Sequence, residues 1–324
     1  MKIISLISIL VFFITISTTK VYAEPDPDFH IYLAFGQSNM EGQAAVEENE
    51  KTVDKRFQFI PTVEGCKNRT MGEWYDAIPP LPRCNGKAGI VDYFGRKMVK
   101  ELPENIRIGI VAVAVSGANI LLFDKDKYEE YVDIVDFEWY VNIMNSYGRN
   151  PYGRLIDMAK IAQKDGVIKG ILLHQGENNI NDEKWPEYVK KVYNNILEDL
   201  SLKSEEVPIL VGEMARTELC GKAGEFNDIV KKLPDVLPTA HIISSKGLKP
   251  MKDCLHFSKE AYIEIGERYA DKMLKILNGE NEENEENREN SDYSDSSSSS
   301  KLILYININS LLFTLLVLII SNIL

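Results

Sequence analysis

The chain has 324 residues, 44% of them hydrophobic, with 49 acidic against 37 basic side chains and a formal net charge of −12. That length and apolar content can build a well-buried core, which excludes a wholly disordered chain. The acidic balance argues against nucleic acid as a partner and suits a neutral or basic ligand better than a polyanion.

Residues 1–23 carry Lys2, an apolar run over 3–16 and a polar stretch ending Val21-Tyr22-Ala23, the pattern of a secretory signal peptide cut before Glu24. The apolar core of about 14 residues falls short of the ~20 needed to span a bilayer. Residues 24–278 are expected to form one domain. Apolar runs bounded by turn residues predict strands over 29–35, 106–115, 167–173, 207–211 and 241–243. Amphipathic segments between them predict helices over 89–100, 151–164, 183–200, 226–233 and 258–277. In the last helix Tyr262, Ile265, Tyr269, Met273 and Ile276 recur at helical spacing behind Ser258 as N-cap. Residues 44–82 read as a long loop region. Alternating strands and helices predict an α/β fold with a parallel sheet.

Beyond the domain, 279–300 holds eight acids against Arg288 alone, then mostly Ser, and is expected to be a disordered stalk. Residues 301–324 are strongly apolar and match a lipid-anchor (GPI) attachment signal, with a membrane-spanning tail as the alternative. Export, a cell-surface location and membrane attachment through this segment are the expectation.

All four cysteines, Cys66, Cys84, Cys220 and Cys254, fall in the exported domain, where two disulfides are expected and three connectivities are possible. Placement favours Cys66 with Cys84, in one irregular region, and Cys220 with Cys254, both following strands. No CxxC motif suggests zinc, so no metal or cofactor is expected. Asn68-Arg69-Thr70 is the single N-glycosylation sequon.

In an open parallel sheet, ligands bind outside the carboxyl ends of the strands. The residues after the first three predicted strands are Gly36-Gln37-Ser38-Asn39, Ser116-Gly117-Ala118-Asn119 and His174-Gln175-Gly176-Glu177; Asp253-Cys254-Leu255-His256 precedes the last helix. A serine nucleophile needs a base, and an acid to orient that base. Asp253 lies three residues before His256, a spacing at which its carboxylate can fold back to Nδ1. His174, ending a strand, is the rival base but reads better as a packing residue, and His30 and His241 read as sheet residues. The Ser38 and Gly117 N–H groups and the Gln175 side-chain amide are candidates for an oxyanion hole.

Together, Gly36-Gln37-Ser38-Asn39-Met40, His174-Gln175-Gly176-Glu177 and Asp253-x-x-His256 resemble, in this order, the motifs of the SGNH-hydrolase superfamily, and within it carbohydrate esterase family 6 and the sialate O-acetylesterase (SASA) domain. The resemblance covers essentially all of 24–278. It implies a three-layer α/β/α sandwich around a flavodoxin-like parallel sheet and metal-free deacetylation of esterified sugars. Ser38 would be the nucleophile, His256 the base and Asp253 the supporting acid, with an oxyanion hole from Ser38, Gly117 and Gln175. Many superfamily members have Asp before the serine and Asn as the third donor; Gln37 and Gln175 stand there instead, as in this branch. Asn39 and Glu177 are expected to support the site, Glu177 as a carboxylate bracing the nucleophile loop. The expected activity is removal of acetyl groups from a polysaccharide such as acetylated xylan by a monomeric enzyme. O-Acetylated sialic acid is the second substrate, and a non-catalytic surface carbohydrate-binding protein is the alternative from another class. A lipase or thioesterase would want a long apolar loop near the serine, and none is seen.

Overall fold

The computed structural model describes residues 24–279. The expected leader at 1–23, the expected stalk beyond its first residue and the expected anchor at 301–324 lie outside the described residues. Strand β1, Asp26–Gly36, runs through the middle of a seven-stranded sheet. It is joined by β2 (Phe57–Ile60), β3 (Tyr75–Asp76), β4 (Arg107–Ala114), β5 (Gly166–His174), β6 (Ile209–Gly212) and β7 (Ala240–Ile243) in the order β3-β2-β4-β1-β5-β6-β7. Every neighbouring pair is parallel except β2 with β3.

The central strands are apolar on both faces because both faces are covered. Ile31, Leu33 and Phe35 of β1 enter one core; Tyr32 and Ala34 enter the other. Helices α1 (Ser38–Glu41), α2 (Ile90–Glu101), α3 (Glu129–Val132), α4 (Glu138–Ser146), α5 (Pro151–Ala162), α6 (Trp185–Leu200), α7 (Asn227–Val230), α8 (Leu233–Val236) and α9 (Lys259–Leu277) complete the fold. Phe94 and Met98 of α2 and Tyr262, Ile265, Tyr269 and Met273 of α9 cover the Tyr32 face. Leu155 and Ala159 of α5 and Val189, Val192 and Ile196 of α6 cover the opposite face. The result is the three-layer α/β/α sandwich that the family resemblance implies, around the parallel sheet that the alternating pattern predicts.

Helix starts follow from local chemistry. Asn150 Oδ1 accepts the Gly153 N–H at 2.7 Å, with Pro151 opening α5 where its missing N–H costs nothing. Ser258 Oγ accepts the Ala261 N–H at 3.3 Å ahead of α9, as its N-cap reading anticipates. Three differences from the sequence reading have physical causes. The stretch 44–82 contains β2 and β3, too short to stand out by pattern and formed by pairing with β4 and with each other. The helix expected over 226–233 is broken between α7 and α8, because Pro234 has no N–H for the Val230 carbonyl and its ring crowds that carbonyl. The α4 segment, unassigned by periodicity, is helical.

Cys66 pairs with Cys84 and Cys220 with Cys254, at Cα separations of 5.2 and 5.4 Å. The second bridge ties the loop after β6 to the loop before α9. Two disulfides fit an extracellular protein. Among the described residues no helix is long and apolar enough to cross a membrane.

Candidate active site

Parallel register sets the site. Gly36 is level with Ala114 on one side and His174 on the other, so the chain leaves β1, β4 and β5 at one height. Gly36 has φ +154°, and a Cβ there would stand 2.1 Å from the His174 carbonyl oxygen. Only glycine fits, and the Gln37 N–H then donates to that same carbonyl at 3.1 Å. The chain turns sharply, and Ser38 opens the single turn of α1.

The loop before α9 closes over this turn. His256 Nε2 lies 2.8 Å from Ser38 Oγ, and His256 Nδ1 lies 2.7 Å from Asp253 Oδ2. Asp253 Oδ1 accepts the backbone N–H groups of Leu255 at 2.9 Å and His256 at 3.1 Å. Partial burial pushes the Asp253 carboxyl up, but the hydrogen bonds from the His256 ring and the two N–H donors outweigh it and hold the group below its ordinary value. An ionised carboxylate only accepts, which puts the imidazole proton on Nδ1 and leaves Nε2 to accept from the serine hydroxyl. Cys254, bridged to Cys220, fixes the loop between these two residues.

Beneath this chain of hydrogen bonds lies a buried polar layer. Asn39 Nδ2 donates to Glu177 Oε1 at 2.5 Å and to the Leu255 carbonyl at 3.2 Å; its Oδ1 accepts the Phe257 N–H at 3.2 Å and the Tyr262 hydroxyl at 2.6 Å. One amide thus joins the nucleophile turn, the loop after β5, the histidine loop and α9. Burial raises the Glu177 carboxyl above its usual range, although the backbone and Asn39 hydrogen bonds and His256 oppose this. Gln37 Oε1 accepts the Gly176 N–H at 3.4 Å. His174 is fully buried, among the described residues neither ring nitrogen has a hydrogen-bond partner, and its ring meets Phe257 edge-on at 5.6 Å. Burial pushes its pKa down to about 3, so this ring is neutral packing and not a base for Ser38.

Gly117, at φ +74°, lies beside Ser38 in the same cleft of about 450 Å³, which His256, Asn178 and Trp139 also line. Among the described residues neither the Ser38 nor the Gly117 N–H is taken by a protein acceptor. Gln175 does not join them. It is fully buried, its Nε2 donates to the Ala118 carbonyl at 3.0 Å and Asn179 Oδ1 at 2.7 Å, and its Oε1 accepts the Trp185 indole N–H at 2.6 Å. With both amide protons engaged, the side chain fastens loops together instead of facing the cleft as an oxyanion donor; a fully buried amide must satisfy its polar atoms internally.

Asn68 is exposed at a tight turn, compatible with its sequon. Several contributors were not read from sequence. Asn178 Nδ2 donates to the Gly117 carbonyl at 2.6 Å, Asn179 Oδ1 accepts the Ile120 N–H at 3.0 Å, and the Ser116 hydroxyl donates to Glu41 Oε2 at 2.7 Å. Glu41 is in turn paired with Arg83 at 2.5 Å. The doubled Asn178-Asn179 directly after the β5 motif is the one available signal for the first two. Among the described residues no group of three or more His, Cys, Asp or Glu is placed to hold a metal ion.

A family model described as carbohydrate esterase, sialic acid-specific acetylesterase, matches residues 28–275. A probable carbohydrate esterase of Arabidopsis thaliana is 24% identical over 271 residues, covering 77% of this chain and 92% of the relative. An Arabidopsis thaliana crystal structure superposes with TM-score 0.58 at 21% identity, over 77% of this chain and 99% of that one. NanS gives TM-score 0.57 at 14% identity, over 79% and 99%. XAC1771, a carbohydrate acetylesterase from Xanthomonas citri, gives 0.52 at 17%, over 74% of this chain and 55% of that one. At these identities the structural likeness speaks to the fold alone.

Proposed function

The chain belongs to the carbohydrate esterase family described as sialic acid-specific acetylesterase, and from that premise we propose that it is a serine O-acetylesterase acting on acetylated carbohydrate through an acetyl-enzyme. The observation that carries the reading is the continuous relay from Ser38 Oγ to His256 Nε2 at 2.8 Å and from His256 Nδ1 to Asp253 Oδ2 at 2.7 Å.

In this reading His256 takes the hydroxyl proton as Ser38 Oγ attacks the acetyl carbonyl carbon, and Asp253 stabilises the imidazolium that forms. The oxyanion of the tetrahedral intermediate accepts from the Ser38 and Gly117 N–H groups, whose turn is held by Asn178 and Gln175. As the C–O bond to the sugar breaks, His256 returns the proton to the departing alkoxide oxygen, giving a sugar hydroxyl and an acetyl ester on Ser38. Water, deprotonated by His256, then attacks that ester; collapse of the second intermediate releases acetate and restores Ser38. Glu177 and Asn39 position the nucleophile turn and take no proton in either half-reaction. Acetylated polysaccharide is the first-choice substrate. The family description favours O-acetylated sialic acid as the second reading.

The test is acetate release from acetylated xylan and from a small aryl acetate by the purified protein beside its Ser38→Ala variant. The variant is expected to lose at least about 10³-fold in kcat; equal rates would refute the catalytic assignment. Export and attachment through residues 301–324 belong to the same proposal, supported by the sequence pattern and by the disulfides. Release from membranes by a phosphatidylinositol-cleaving phospholipase is expected, and retention would favour a spanning tail.

A further inference from the structure

Large apolar side chains that stay in water need a reason when they gather at the mouth of a cleft. Phe137 and Trp139, at the start of α4, are 57% and 49% exposed. Their rings lie within 19° of parallel, with centroids 6.3 Å apart. Trp139 lines the Ser38 cleft, and the edge of its indole stands 3.4 Å from where a Cβ on Gly117 would be. The pair is held rigidly from below: Tyr140 is buried, meets Trp139 edge-on at 5.7 Å and donates its hydroxyl to the Tyr131 carbonyl at 2.9 Å. An aromatic surface thus begins beside the Gly117 turn and continues outward.

The charge around the cleft is as informative as its shape. Its lining holds hydroxyl and amide groups of Ser116, Gln43 and Asn178 and the buried Glu177, and no Lys or Arg among the described residues. Arg83 is committed to Glu41, Arg149 to Asp133, and Arg154 to the Thr62 carbonyl. A sugar carboxylate brought here would meet Glu177 with no Lys or Arg in the lining to offset its lost hydration.

Building on the esterase reading above, we propose that Trp139, extended by Phe137, is a stacking platform for uncharged pyranose rings, so that the substrate is an acetyl ester on a neutral saccharide chain. The face of a pyranose presents C–H groups that match the negative face of an aromatic ring, while its equatorial hydroxyls remain free for water or for Asn178 and Gln43. Binding energy gathered on the platform would orient the ester over Ser38.

The decisive measurement is calorimetric titration of the purified full-length protein with an unacetylated xylo-oligosaccharide, which is not consumed. Trp139→Ala is expected to weaken binding about tenfold, Phe137→Ala less, and Trp139→Phe to retain most of the affinity; free sialic acid should not compete. Unchanged affinity in Trp139→Ala, or competition by sialic acid at equal concentration, would overturn the proposal. This readout needs no turnover, so it separates failure of the platform from failure of the esterase reading, which aryl acetate hydrolysis by the Ser38→Ala variant reports by itself.

Discussion

Two histidines a few ångströms from the same serine turn behave in opposite ways. His256 sits in an accessible loop with both ring nitrogens engaged, one by Ser38 and one by a half-exposed Asp253. His174 lies in the floor, fully buried, with no hydrogen bond to either ring nitrogen among the described residues and its pKa pushed down to about 3. The difference is one of surroundings, not residue type. A ring that must gain and lose a proton needs a counter-charge and nearby solvent; a ring that only fills space is kept neutral by burial. The same division runs through the carboxylates. Asp253 is held low and ionised by its donors, whereas Glu177, under the surface, is pushed up and accepts from the Asn39 amide.

That contrast breaks most sharply at Asp253. Asp253→Asn keeps the shape of the loop but removes the acceptor that fixes the proton on Nδ1, so kcat is expected to fall by about 10⁴-fold at neutral pH. Steady-state kinetics on an aryl acetate measure it, and a loss below tenfold would mean that His256 does not depend on this carboxylate. A smaller effect is expected in the floor. Asn39→Ala unties four segments at once and should lower kcat/KM by about 10²-fold, with the far-ultraviolet circular dichroism unchanged. Removing the Cys220–Cys254 bridge by the double Cys→Ala change should cost about 2–4 kcal/mol in denaturant unfolding. It should also reduce activity more than removal of the Cys66–Cys84 bridge, because only the former holds the Asp253 loop.

The smallest effect tests the neutral histidine. In the unfolded chain His174 takes up a proton near its ordinary value of 6.5, while in the folded protein it resists protonation down to about 3. Between those values the unfolded state binds more protons, so the folded state loses stability as pH falls through this window and regains it above 6.5. The slope from one such group is at most about 1.4 kcal/mol per pH unit. His174→Asn should flatten the stability curve between about pH 6 and about pH 4. An unchanged slope in urea titrations would show that the ring is not what senses the acid.

How much of this was legible in the sequence follows from the range of the interactions. The strand over 29–35 and its successors at 106–115 and 167–173 announce themselves because parallel strands covered on both sides are continuously apolar. Those three fix the edge where the chemistry gathers, and Ser38, Asp253 and His256 are recognisable there as ordered motifs. β2 was hidden because Phe57-Gln58-Phe59-Ile60 is four residues long and becomes a strand only against β4. α4 was hidden because its exposed Trp139 and Phe137 disturb the apolar period of a surface helix. Gln175 stands where a donor was expected, but its partners Asn179, Ala118 and Trp185 come from three different segments, and only their assembly turns the amide away from the cleft. Arg83 with Glu41, and Asn178 with Gly117, are likewise long-range pairs that no local spacing encodes.

In the proposed mechanism Ser38 becomes covalently acylated with the help of His256. This step is tested most directly by treating the protein with a fluorophosphonate and locating the adduct by peptide mass spectrometry. A single phosphonylated peptide modified at Ser38 is expected, formed rapidly in the wild type and at least about 10³-fold more slowly in His256→Ala. Modification at another residue, or labelling of Ser38 at the same rate without His256, would contradict it.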